Sequence, residues 1–167
     1  MSKSRYFVLI GCFFACSFLA AAQRNYVPNS VLATGNWYKL SVRTTGIYKI
    51  DLPFLSSLGV NTNNLSSNSI RLYGNGGQML AESNAGTWTD DLKENAVQVV
   101  DGGDGVLNGS DYILFYANGP DEWVNDVANL RFSHRKNVFS DKSYYFLNVS
   151  GNGKRITNAP LVTSPNL

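Results

Sequence analysis

From Trp37 onward the chain alternates apolar and polar side chains with a period of two. In Trp37-Tyr38-Lys39-Leu40-Ser41-Val42-Arg43, Tyr38, Leu40 and Val42 fall on one face and Lys39, Ser41 and Arg43 on the other, which predicts a half-buried strand. Thr44-Thr45-Gly46 reads as a turn, and Ile47 to Ile50 as a second strand paired with the first in a hairpin. Asp51-Leu52-Pro53 then predicts a short helix. Asp51 suits the N-cap, Pro53 fits the first turn, Leu55 and Leu58 supply an apolar stripe, and Gly59 is the stop. The polar run Asn61 to Ser69 predicts a surface loop, after which Ile70-Arg71-Leu72-Tyr73 returns to strand character.

Further strands are predicted at Ala96 to Val100, Tyr112 to Tyr116 and Tyr144 to Val149. The second of these is apolar on both faces, as a central strand covered on each side would be, and the third looks similar. Asn118 to Lys142 shows no periodicity and reads as a long irregular connection. Several short strands, Gly/Asn turns and one minor helix predict a mostly β chain folded as a β-sandwich.

The first 22 residues have a different pattern. Lys3 and Arg5 precede an almost unbroken apolar run from Tyr6 to Leu19, and Ala20-Ala21-Ala22 supplies small residues before a cut between Ala22 and Gln23. This is the signature of a secretory signal peptide, and the run is short for a membrane span of ~20 residues. The expected organisation is therefore 1–22 signal peptide, 23–36 N-terminal extension, 37–156 β-sandwich and 157–167 linker or truncated tail. The segment after Ile156, Thr-Asn-Ala-Pro-Leu-Val-Thr-Ser-Pro-Asn-Leu, is linker-like.

Charge and cysteine content follow from that division. The chain has 14 Lys and Arg against 12 Asp and Glu, and Lys3 and Arg5 supply the whole excess. A neutral mature chain lacks the basic field of a nucleic-acid binder. Both cysteines, Cys12 and Cys16, also lie in the signal. A chain cut at Ala22 would have no cysteine nucleophile and no thiolate metal site.

Candidate chemistry is sparse. Asp104, Asn108 and Asp111, in the loop Asp101-Gly102-Gly103-Asp104-Gly105-Val106-Leu107-Asn108-Gly109-Ser110-Asp111, match the later half of an EF-hand-like calcium loop. The earlier half is missing, because Val100 and Gly102 occupy the first two ligand positions. The competing account is a turn-rich connection whose Asp side chains cap backbone N–H groups. Gly74-Asn75-Gly76-Gly77 lacks the lysine of a phosphate loop and reads as a tight turn. His134 has no nucleophile or orienting partner in the sequence pattern and reads as structural. Trp88 and Trp123 could stack on sugars or serve as packing.

One ordered series of segments goes further. It comprises Ser30-Val31-Leu32-Ala33 with Trp37-Tyr38-Lys39, then Thr45 to Ile50, Ile70 to Gly77, Asp90 to Ala96 and Gly102-Gly103-Asp104-Gly105. Asp111 to Tyr116, Phe132-Ser133-His134 and Ser143 to Leu147 complete it. Taken together these resemble the N-terminal region of the PorU family, gingipain-type cysteine peptidases that act as sortases of the type IX secretion system in Bacteroidetes. The resemblance implies a gingipain-prodomain-like β-sandwich ahead of a caspase-like peptidase domain. It further implies removal of C-terminal sorting signals from secreted cargo, transfer of the cargo to anionic lipopolysaccharide, and work alongside the outer-membrane barrel PorV. The family's catalytic Cys and His belong to the peptidase domain, so the resemblance assigns no catalytic residue here, and His134 inherits no such role. The implied partner is a peptidase domain on the same or an adjacent polypeptide, and the implied location is the periplasm, outer membrane or cell surface. The competing class is a free-standing exported module binding carbohydrate or calcium.

Overall fold

A computed structural model of the chain describes residues 26–83, 86 and 88–157. The expected signal peptide, its cut at Ala22–Gln23 and all but the first residue of the expected tail lie outside these residues. The described elements are β1 (Trp37–Val42), β2 (Gly46–Asp51), helix α1 (Leu52–Ser57), β3 (Ile70–Tyr73), β4 (Glu94–Asn95), β5 (Gln98–Val100), β6 (Tyr112–Ala117), β7 (Glu122–Asp126), β8 (Arg131–Arg135) and β9 (Ser143–Val149). Short 3-10 turns lie at Val31–Ala33, Ser67–Ser69 and Val127–Asn129.

Strands β1-β9-β3-β4 form one antiparallel sheet and β2-β6-β5 a second, while β7 and β8 pair as a separate ribbon. The inward faces of the two sheets share one core. Leu40, Val42, Leu72, Tyr145 and Leu147 come from the first sheet, and Ile50, Ile113, Phe115 and Ala117 from the second. The mostly β, sandwich-type architecture expected from the pattern is thus what the chain adopts.

The helix forms as its local sequence dictates. Asp51 Oδ1 accepts from the Phe54 N–H at 3.1 Å, Pro53 sits in the first turn and Leu55 is fully buried. Gly59 ends the element with φ +87°, a conformation open to glycine at little cost.

The predicted hairpin between β1 and β2 does not form. β1 pairs with β9 and β2 with β6, so residues 43–45 carry the chain from one sheet to the other. Each strand has one apolar face, and here those faces meet across the core instead of lying side by side. The crossing is fixed from outside by Gly119, whose N–H donates to Thr45 Oγ1 at 2.9 Å. A Cβ on Gly119 would lie 2.8 Å from the Thr44 backbone. A second crossing separates β4, in the first sheet, from β5, in the second. Its pivot is the buried Val97, whose N–H donates to Lys154 O and whose carbonyl accepts from the Ile156 N–H.

Three other expectations need correction. β6 is central in its sheet, but only Ile113, Phe115 and Ala117 face the core; on the other side Tyr112 and Leu114 are half-buried and Tyr116 is 57% exposed. Two apolar faces do not imply two covered faces. The stretch Asn118–Lys142 is not irregular, since it contains the β7–β8 ribbon. That ribbon buries no face against the core, so its two sides differ in charge but neither carries the apolar stripe of a half-buried strand. The loop Asn61–Ser69 is not wholly at the surface either. Leu65 and Ser67 are buried, and Ser67 Oγ donates to Asp101 Oδ2 at 2.5 Å.

Tyr145 joins the two sheets. It is 2% exposed, and its ring meets Phe115 of the opposite sheet edge-on at 5.6 Å. Its hydroxyl accepts from the Asn118 N–H at 2.7 Å and donates to Asn118 O at 3.3 Å. Burial pushes its phenol above the ordinary tyrosine range. Gly74 lies so close to this ring that a Cβ there would stand 2.3 Å from it. Gly74→Ala is therefore expected to destabilise the fold by about 2 kcal/mol or more through overpacking. Tyr145→Phe, which orphans the Asn118 amide, should cost about 1–2 kcal/mol. Urea unfolding of the two variants measures both, and an unchanged midpoint for Gly74→Ala would refute the close contact.

Candidate functional site

The connection between β5 and β6 brings Asp104, Asn108 and Asp111 together. Gly102, Gly103, Gly105 and Gly109 all have positive φ, which coils residues 101–111 tightly. Asp104 Oδ1 accepts from the Val106 N–H at 2.9 Å, and its Oδ2 from Asn108 Nδ2 at 3.0 Å. Asp111 Oδ2 accepts from the Asn108 N–H at 2.8 Å. Asp101 turns elsewhere, to Ser67 Oγ and the Gly103 N–H, and these bonds hold its carboxyl below the ordinary aspartate range. Among the described residues no three His, Cys, Asp or Glu side chains are grouped as a metal cage would require. The carboxylates cap their own loop, and a cation entering here would compete with the Asn108 amide for Asp104.

His134 lies on β8 with its Nε2 3.5 Å from Asp121 Oδ2 and its ring 5.0 Å from the Trp123 indole. Asp121 Oδ1 also accepts from the Asn137 N–H at 3.0 Å. His134, Asp121 and Trp123 line, with Arg43, Thr44, Thr45 and Gly119, a cavity of about 270 Å³ at the base of the ribbon. Both contacts of His134 lie within the ribbon or at its entry, since Trp123 is its cross-strand partner on β7 and Asp121 directly precedes that strand. Trp123 lies on this ribbon, whereas Trp88 packs against Tyr26 at 5.2 Å.

The ribbon itself is two-faced. Cross-strand ion pairs Glu122–Arg135 (3.5 Å) and Asp126–Arg131 (3.2 Å) occupy one side. Trp123 opposite His134 and Phe132 opposite Asn125 occupy the other, where Trp123 is 70% and Phe132 69% exposed. On the outer face of the second sheet, Ile47 and its partner Tyr116 are likewise exposed. These are two apolar surfaces on a chain whose core is already filled.

The Gly74–Gly77 run is a close-approach device and not the tight turn expected from its glycines: residues 74–76 form no turn, and the Gly74 N–H donates to Lys93 O at 3.0 Å, prolonging the pairing of β3 with β4. A Cβ on Gly77 would lie 1.9 Å from Ser143 Oγ, and Gly76 has φ +83°. Asn75 serves as a substitute strand, its Oδ1 accepting from the Lys93 N–H at 3.0 Å and its Nδ2 donating to Asp91 O at 3.1 Å.

A polar centre absent from the sequence reading surrounds Glu94. Its carboxylate accepts from Arg71 Nε at 3.2 Å and Nη2 at 2.8 Å, from the Lys154 N–H at 2.9 Å and from the Tyr73 hydroxyl at 3.4 Å. Desolvation pushes the Glu94 carboxyl up, but the Arg71 and Lys154 bonds outweigh it and hold it below the ordinary glutamate range. The partners lie 23 and 60 residues away, so no local pattern announces them.

No family model matches the chain, and no curated protein matches it. Among solved structures, the chain is similar to the crystal structure of dimeric latent PorU from Porphyromonas gingivalis, at 26% identity and a TM-score of 0.57. The likeness covers 78% of this chain and 11% of that one. The chain therefore has a PorU-like β fold and spans about a tenth of the length of the solved chain it matches.

Glu94 sets a pH dependence. Because its folded-state pKa is lowered, its contribution is complete above the ordinary glutamate range of about 4.3 and is lost as pH falls through the folded value. Arg71→Ala, which leaves a carboxylate only 10% exposed without its partner, is expected to cost about 1–2 kcal/mol at pH 7. That cost should shrink below pH 4 in urea titrations; a cost independent of pH would contradict the pairing. Asp104→Ala is expected to cost about 1 kcal/mol with or without calcium, as loss of a loop cap does. A melting temperature raised by millimolar calcium in the parent chain, and not in this variant, would instead mark Asp104, Asn108 and Asp111 as ligands.

Proposed function

We propose that this chain is the non-catalytic N-terminal β-sandwich module of an exported, sortase-like cysteine peptidase of the type IX secretion system. The observation that carries the reading is the likeness over 78% of this chain to 11% of PorU, at 26% identity. The full-length protein would process the C-terminal sorting signals of secreted cargo at the outer membrane or cell surface. The module's task is to pack on and position the peptidase domain, carried on the same or an adjacent polypeptide. The outer-membrane barrel PorV is a second partner of the assembled protein.

Two features support a packing role. The ribbon face bearing Trp123 and Phe132, and the Ile47–Tyr116 rung of the second sheet, are exposed. Aromatic side chains are enriched at protein interfaces, and contiguous exposed apolar surface marks interaction sites. On this reading His134, which faces Asp121 and Trp123, takes no part in hydrolysis.

The DNA beyond codon 167, or the adjacent frame, is expected to encode a peptidase domain bearing both Cys and His. An intergenic region with no peptidase nearby would overturn the reading. The purified chain should show only background peptidase activity, and turnover by the chain alone would likewise refute a non-catalytic role.

A further inference from the structure

The outer face of the first sheet carries a groove that the packing role does not use. One rung of three adjacent strands forms its floor: Trp37 of β1 stands opposite Asn148 of β9, which stands opposite Arg71 of β3. The turn at Thr34–Asn36 walls one side, and the space is about 500 Å³, within the usual range for small-ligand sites.

The groove is held in shape before any ligand arrives. The Trp37 indole N–H donates to Thr34 O at 2.7 Å, and its ring meets Tyr73 edge-on at 5.1 Å, so the indole plane is fixed. Asn148 is buried; its Nδ2 donates to Asn36 O at 2.9 Å and its Oδ1 accepts from Ser150 Oγ. Gly35, at φ +89°, lets the wall approach, since a Cβ there would lie 3.1 Å from Asn148 Nδ2. Glu94 holds Arg71 through Nε and Nη2, which leaves Nη1 without a hydrogen-bond partner among the described residues.

We propose that this groove binds a saccharide, with one pyranose ring stacked on Trp37 and its hydroxyl rim hydrogen-bonded by Arg71 Nη1 and the amides and hydroxyls of the turn. The lining has two aromatic rings, Trp37 and Tyr73, a guanidinium over the Tyr73 ring whose Nη1 has no hydrogen-bond partner among the described residues, several neutral amide and hydroxyl groups, and no carboxylate among the described residues. A pyranose matches it by presenting an apolar C–H face to the Trp37 ring and hydroxyls around its edge. The site is distinct from Trp88 and Trp123, where sequence alone would put sugar stacking. It does not depend on the PorU-like reading, and the two can fail separately.

The three tryptophan indole N–H resonances of the chain make the test direct. In amide-detected NMR titrations with a panel of hexose and N-acetylhexosamine di- and trisaccharides, at least one member should shift the Trp37 indole and the Asn36 and Asn148 amides. Trp88 and Trp123 should stay in place. Arg71→Lys, which keeps a cation beside Glu94 but removes the fork, should weaken that binding several-fold, and Trp37→Ala tenfold or more. If Trp37→Ala proves unfolded, the parent-chain titration and Arg71→Lys still decide the matter. No shift across the panel, a shift confined to Trp88 or Trp123, or unchanged affinity in Arg71→Lys would overturn the proposal.

Discussion

The fold depends on one close approach. Tyr145 leaves the first sheet, meets Phe115 of the second and reaches the backbone of Asn118 with its hydroxyl. Its ring fits because residue 74 has no side chain. A buried hydroxyl is tolerable only when paired, and here the pairing spans 27 residues, so one side chain satisfies itself and sets the separation of the two layers. Gly77, against Ser143, and Gly119, against the Thr44–Thr45 backbone, repeat the device nearby. Side chains at these positions would force the sheets and crossings apart.

A second constraint acts at the edge of the first sheet. The segment Gly153–Ile156 crosses beside β3 and Val97, and Arg155 binds the carbonyls of Ile70 (3.1 Å) and Ser67 (2.7 Å). Burial lowers the Arg155 pKa from its ordinary value, with Glu94 and Asp101 opposing the shift. Glu94 takes the Lys154 N–H and the Arg71 fork together. The same guanidinium that completes this network floors the groove beside Trp37, so the stability of the edge and the shape of the groove share a residue.

What could be read along the chain was whatever has a local cause. The alternation of Tyr38, Leu40 and Val42, the cap of Asp51 on Phe54 and the stop at Gly59 are each decided within a few residues, and each appears as expected. The ribbon does not stand out in the sequence because neither of its faces is buried in the core: Trp123 and Phe132 alternate with charged neighbours, but each strand carries one such aromatic and no apolar stripe. Nor does the Glu94 centre, because its partners converge from β3 and from residue 154. The Asp104–Asn108–Asp111 spacing was legible as a cluster, and the structure does bring the three together, as caps on the loop's own backbone.

By itself, then, the sequence determined the type of each strongly patterned element, the short helix at Leu52–Ser57 with its cap and stop, and the mostly β class, because these follow from short-range sterics and side-chain alternation. Tertiary structure alone decided that β1 and β2 part into different sheets, that β6 is covered on one face only, and that Trp37, Asn148 and Arg71 stand in one row. Those outcomes depend on which apolar faces meet and which strands become neighbours. A turn signal such as Thr44-Thr45-Gly46 marks where the chain bends without naming its next partner; the long-range pairings with β6 and β9 supply that choice.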